Sequence, residues 1–259
     1  MNTVFAIASV TIKELYRRKD FYVLFVLSAL ITLMAEAGTF FHDDKIVRYL
    51  KELCLLLIWI SALVIAVTTA ARQIPAECEQ RTIFPLLAKP VTRGQVIAGK
   101  SLGCWLAAGL ALVVFYLFLI AVCGSREHAW PLLNYLQAAW LQWMFLGVVI
   151  AMAVLGSIVF AAPSSNATIL FVVVIGILLL GGHLNQVALE RPEPMRSVLY
   201  AIYFIIPHLE WFDVRALVIH DQSLIAWWAV AAASAYAIVY AVLFLFAAWL
   251  AFRRKALNT

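Results

Sequence analysis

The chain has 259 residues, 65% of them hydrophobic and 13% charged, with a net charge of +5 and a mean hydropathy of +0.96. A soluble domain carries about 25% charged residues, and one water-facing core of this size has no means of hiding so much apolar surface. The basic residues sit in short stretches between long apolar runs, as expected when charge sets membrane orientation, which argues against a nucleic-acid partner.

Residues 1–10 lack the basic leader of a secretory signal, and the first long apolar run follows Tyr16-Arg17-Arg18-Lys19-Asp20, so a retained anchor is expected. Within 1–20, Phe5, Ala8, Ile12 and Leu15 recur at helical spacing while Lys13, Arg17 and Arg18 fall elsewhere on the wheel. That pattern predicts an amphipathic helix lying in the interface, its basic side toward anionic lipid headgroups. The alternative is a cytoplasmic start to the first span.

A helix crossing a ~30 Å hydrocarbon core needs about 20 apolar residues. Six segments qualify: 21–41, 53–71, 97–123, 132–161, 167–187 and 224–252. The expected fold class is therefore an all-α integral membrane protein with six transmembrane helices. Its parts are an interfacial helix (1–20), spans one and two (21–71), a connecting segment (72–96), spans three to five (97–187), an outer loop (188–223), and span six with a basic tail (224–259). The short loop of residues 162–166 makes spans four and five an antiparallel hairpin. With both termini cytoplasmic, 12 Lys and Arg fall inside and 7 outside, which favours that orientation. Aromatics such as Tyr203, Phe204, Trp211 and Phe212 suit short helices resting at the outer interface.

Residues 73–101 are the most informative. Pro75 is expected to begin a short helix, with Glu77 and Glu79 at its positive dipole end, Ile83, Leu86 and Leu87 as an apolar edge, and Pro90 as its end. A rigid cytoplasmic helix between two spans suits docking of a soluble partner. Here the chain resembles permease subunits of type-2 ATP-binding-cassette transporters, especially those linked to multicopper-enzyme maturation. The resemblance lies in Glu77-x-Glu79-x-x-Thr82, in Leu86-Leu87-x-Lys89-Pro90-Val91-x-Arg93, and in Gly99-Lys100 opening the next span. It implies a coupling helix, with Glu77, Glu79, Arg81, Thr82, Leu86, Leu87, Lys89, Pro90 and Arg93 meeting a separate cytoplasmic ATPase. It also implies a second permease copy as partner, a multi-pass protein of the bacterial inner membrane, and no enzyme activity or cofactor in this chain, ATP and Mg being held by the ATPase.

Residues 94–101, Gly94-Gln95-Val96-Ile97-Ala98-Gly99-Lys100-Ser101, match the phosphate-loop pattern letter for letter. The pattern needs a buried strand before it, and Lys89-Pro90-Val91-Thr92-Arg93 is not one. Gly99 is expected to allow close packing, with Lys100 anchoring the inner interface.

Glu36 lies about 23 Å along the first span, and an ionisable residue in a bilayer is a functional candidate. Glu36 and His183, near the outer end of span five, are the candidate substrate-path residues. Cys54, Cys78, Cys104 and Cys123 form no ligand pattern, and the five Met are scattered, so no metal site is expected. No catalytic set stands out. Gly147, Ala151, Gly156 and Ser157 allow close helix contact on span four. Two other classes are considered. A secondary transporter needs ionisable groups deep in several spans. A lipid-modifying membrane enzyme would have to rest on His208, Glu210, Asp213 and Arg215.

Overall fold

In a bilayer the backbone cannot leave its N–H and C=O groups unpaired, and a long apolar run resolves this by becoming helical. The structure, a computed structural model, describes residues 3–17, 22, 25–26, 29–30, 33, 45–79, 91–127, 131–160, 162–190, 192–220 and 222–254. Among these residues every regular element is helical. In chain order they are α1 (Thr3–Arg17), α2 (Lys45–Glu79), α3 (Arg93–Glu127), α4 (Leu132–Val159) and α5 (Pro163–Glu190). Then come α6 (Met195–Ile205), a 3₁₀ turn (Leu209–Phe212), α7 (Arg215–Ile219) and α8 (Trp227–Arg254).

Four stretches are long and apolar enough to cross a membrane: Arg48–Glu77, Arg93–Cys123, Leu132–Val159 and Trp227–Arg253. They cover the expected spans two, three, four and six. The fifth expected span lies within α5, whose described apolar stretch, Pro163–Leu179, is shorter. Of the first expected span, only Tyr22, Phe25, Val26, Ala29, Leu30 and Leu33 are among the described residues, and all six are helical.

α4 is the central helix. In its most apolar stretch 67% of residues are buried, against 17% for α8, so α8 turns most of its surface outward. Outward apolar groups such as Ile238, Val242 and Phe246 are what a lipid-facing helix presents.

The α3–α4 contact is a reciprocal interlock. Trp105 Nε1 donates to the Trp143 carbonyl at 2.9 Å, and Trp143 Nε1 donates to the Trp105 carbonyl at 2.9 Å. The indoles stack with centroids 4.4 Å apart. Each ring lies over the glycine one turn after the other tryptophan. A Cβ on Gly109 would sit 2.6 Å from Trp143 Nε1, and one on Gly147 3.0 Å from Trp105 Nε1. The pattern W-x-x-x-G thus occurs twice and pairs with itself, satisfying both indole N–H groups in an apolar environment.

The α4–α5 hairpin is tighter than the sequence suggested. Pro163 opens α5, where a proline loses no needed hydrogen bond, and residues 163–166 form its first turn rather than loop. Asn166 is buried and donates to the Ala153 carbonyl at 2.9 Å. Its amide covers Gly156, where any Cβ would overlap it.

Two expectations change. Pro75 does not begin a helix but lies inside α2, which continues unbroken to Glu79. Glu77 therefore stands at the negative end of a helix dipole, and its stabilisation must come from another element. α1 runs along α3, and the side it buries differs from the apolar stripe read in its sequence. Val4 and Ile7 stand at Gly99, and Ala8 and Thr11 one turn further on at Gly103. Phe25 continues the line against Phe115 and Phe118. The packed face of α1 is accordingly Ala8, Thr11 and Leu15, while Phe5 is 60% exposed.

Candidate functional site

The helix ends gather at two ends of the bundle. One holds the start of α1, the end of α2, the start of α3, the facing ends of α4 and α5 and the end of α8; we call it the terminal end. The other is covered by residues 206–220 and 222–226, and we call it the cap end.

At the terminal end, α3 starts in a capping box. Thr92 N–H donates to Gln95 Oε1 at 3.0 Å, and Gln95 N–H donates to Thr92 Oγ1 at 3.3 Å, which satisfies two otherwise orphaned donors. From this fixed start three contacts follow within residues 93–103. Arg93 Nη1 donates to the carbonyls of Phe252 (2.6 Å) and Arg253 (3.3 Å), with its guanidinium 5.3 Å from the Phe252 ring centre. A cation there complements the negative end of α8. Gly94 lets the Trp249 indole approach, at 3.3 Å from where a Cβ would be. Lys100, buried, donates to Gln73 Oε1 at 3.0 Å and pairs with Glu77 Oε1 at 2.6 Å. This is the partner that Glu77 needs at its helix end.

The phosphate-loop look-alike, residues 94–101, is helical throughout within α3. Gly99 serves close packing as expected, since a Cβ there would meet Ile7 Cβ at 2.8 Å. Lys100 is not at a lipid interface but inside the bundle with Gln73 and Glu77.

Of the sequence-derived coupling residues, Glu77 and Arg93 are thus placed on the inward-facing sides of α2 and α3. Glu79 ends α2. Arg81, Thr82, Leu86, Leu87, Lys89 and Pro90 lie outside the described residues, as does Glu36. His183 lies on α5. Sequence reading missed Gln73 and the Thr92–Gln95 box. The second has a readable signature, a threonine followed three residues later by glutamine at a helix start.

At the cap end the four residues considered for an enzyme site pair with one another and pack against the bundle. His208 N–H donates to Tyr236 Oη at 2.9 Å, and its ring lies between Tyr203 and Trp211. His208 Nδ1 is 3.4 Å from Glu210 Oε1, and the Glu210 carboxylate rests where Gly181 leaves room. Arg215 donates Nε to Asp213 Oδ1 at 2.8 Å and Nη2 to Oδ2 at 2.7 Å, and its guanidinium lies over Trp59 of α2. Gln137 of α4 makes a two-way amide pairing with the backbone of Ile225, at 3.0 and 3.1 Å. His208, Leu209, Phe212 and Val218 are buried while Phe204 and Trp211 are exposed, so the segment sets one side into the bundle and keeps aromatics on its surface.

Burial alone would raise the Asp213 carboxyl, but hydrogen bonds from Arg215 and its charge outweigh burial and hold it below the ordinary carboxylate value. A lowered folded value means stability that is complete above the unfolded value of about 3.9 and is lost as pH falls through the folded one. Hydrogen exchange in residues 206–226 is expected to stay slow from neutral pH to about that value, then accelerate on further acidification. An Asp213→Asn chain should lack this acid step. Acceleration already at neutral pH in the unaltered chain would contradict the assignment.

Residues 5–257 match the family described as ABC-2 family transporter protein. A search among curated proteins finds no match.

Proposed function

This chain belongs to the ABC-2 family of transporter proteins and is a membrane permease component; we propose that it works in an exporter driven by a separate cytoplasmic ATPase. The ATPase binds ATP and Mg and seats on the connecting segment through residues 79–90. Six helices span the bacterial inner membrane, namely the four long apolar helices, α5 and residues 21–41, with both termini cytoplasmic. A second copy of the permease, identical or related, completes the translocation unit, and Glu36 and His183 border the substrate path.

The observation that carries this reading is the tie of α3 to α1, α2 and α8 within residues 93–103, directly after the connecting segment. A push on residues 80–92 is thereby passed to four helices at once. Arg93 contributes by transmission to α8, and the ATPase-facing contacts fall to residues 79–90. The test is recovery of the tagged chain from membranes in mild detergent, beside Glu79→Lys. An ATPase subunit should accompany the unaltered chain and be lost from the variant. A folded chain that never retains an ATPase would overturn the reading.

A further inference from the structure

Lys100 stands seven residues into α3, about 10 Å from its start at 1.5 Å per residue, and is 4% exposed. Its two acceptors, Gln73 and Glu77, are four residues apart and so share one face of α2. Gln73 is also buried, at 3% exposed. Burying charge for stability alone has little to recommend it, because a well-packed apolar pair of similar volume is often as stable or more so. What a charged pair with two hydrogen-bond acceptors adds is a single register between the two helices. Glu77 lies just before residues 80–92 and Lys100 just after them, so the pair bridges the two helix ends that those residues join.

We propose that Lys100 is a positioning residue that locks the ends of α2 and α3 into one rigid fork, so that a stroke on residues 80–92 displaces both helices together. Without the lock, α3 slides against α2 by about one turn, ~5.4 Å, and the stroke is absorbed at the terminal end. This inference rests on the ATPase-driven reading above.

The test uses the full chain in complex with its ATPase, the four native cysteines replaced by alanine and spin labels placed at Arg72→Cys on α2 and Ala98→Cys on α3. Retention of the ATPase by the unaltered chain is checked first, and its absence there would sink the parent reading and this one together. Given a complex, the label separation should be the same without nucleotide and after trapping with ATP and vanadate. In Lys100→Met a second separation, displaced by about one turn, ~5.4 Å, should appear on trapping while the ATPase is still retained. Lys100→Gln, which keeps a hydrogen bond to α2 and is the gentler change for folding, should show a smaller second population. Exchanging the charges, Glu77→Lys with Lys100→Glu, should restore one separation. A Lys100→Met or Lys100→Gln complex that keeps a single, nucleotide-independent separation would overturn the lock. So would an unaltered complex whose helices separate on trapping.

Discussion

Trp143→Ala is expected to destabilise the bundle by about 3 kcal/mol, the low end of the range for truncating a large aromatic, because the ring is half-buried. The loss has two parts: the stacking on Trp105, 4.4 Å away, and the bond from the Trp143 N–H to the Trp105 carbonyl at 2.9 Å. The returning bond ends on the Trp143 backbone carbonyl and is kept. Gly109→Leu should cost about 3 kcal/mol, the upper part of the overpacking range, because the group it meets is an indole held by hydrogen bonds rather than a free chain end. The decisive comparison is the double variant. Removing the Trp143 ring vacates the space that the introduced leucine side chain needs, so the combined loss should fall well short of the sum. Thermal unfolding in one detergent, followed by fluorescence of the remaining tryptophans, measures all three. Strict additivity would show that the ring and the glycine do not face each other.

Gly99→Leu with Gly103→Leu is expected to detach α1 from α3 while leaving the long helices paired. Cβ atoms at these positions would stand 2.8 Å from Ile7 Cβ and 2.7 Å from Thr11 Cβ, and each would also be 3.0 Å from an α1 backbone carbonyl. Side chains can turn aside, but a backbone carbonyl moves only with its helix, so the two helices must part. Helix association in lipid depends on close approach and not on a hydrophobic driving force, so little remains to hold α1 once the gap opens. Limited proteolysis should then cut within residues 3–17 of the double variant at a protease level that spares the unaltered chain. Equal resistance in both would contradict the pairing.

Hydropathy was a good guide to where helices run and a poor one to how they face. Spans two, three, four and six were legible because each apolar run has the length a bilayer requires, and solvent and lipid impose that length directly. The packed faces were not legible for the same reason: in lipid the outer face is as apolar as the inner one. Phe5 and Ala8 look alike in periodicity, yet one is exposed and the other buried. Pro75 misled because a proline suits a helix start, whereas the helix already under way runs through it to Glu79. The small residues were read correctly as contact points, but not what they contact. Gly147 makes sense only beside Trp105, and Gly156 only beside Asn166. Lys100 was taken for an interface anchor because its two acceptors, Gln73 and Glu77, lie far back in the chain on another helix, beyond any local pattern.

The central claim is that residues 79–90 are the seat of an ATPase. The most direct measurement places a photo-cross-linking amino acid at Leu86, and separately at the outward-facing Leu179 of α5, in cells carrying the full chain. The account predicts an adduct between Leu86 and a soluble ATPase subunit, changed in yield by ATP–vanadate trapping, and no such adduct from Leu179. A folded chain that gives no ATPase adduct from Leu86, or gives it equally from Leu179, would contradict it.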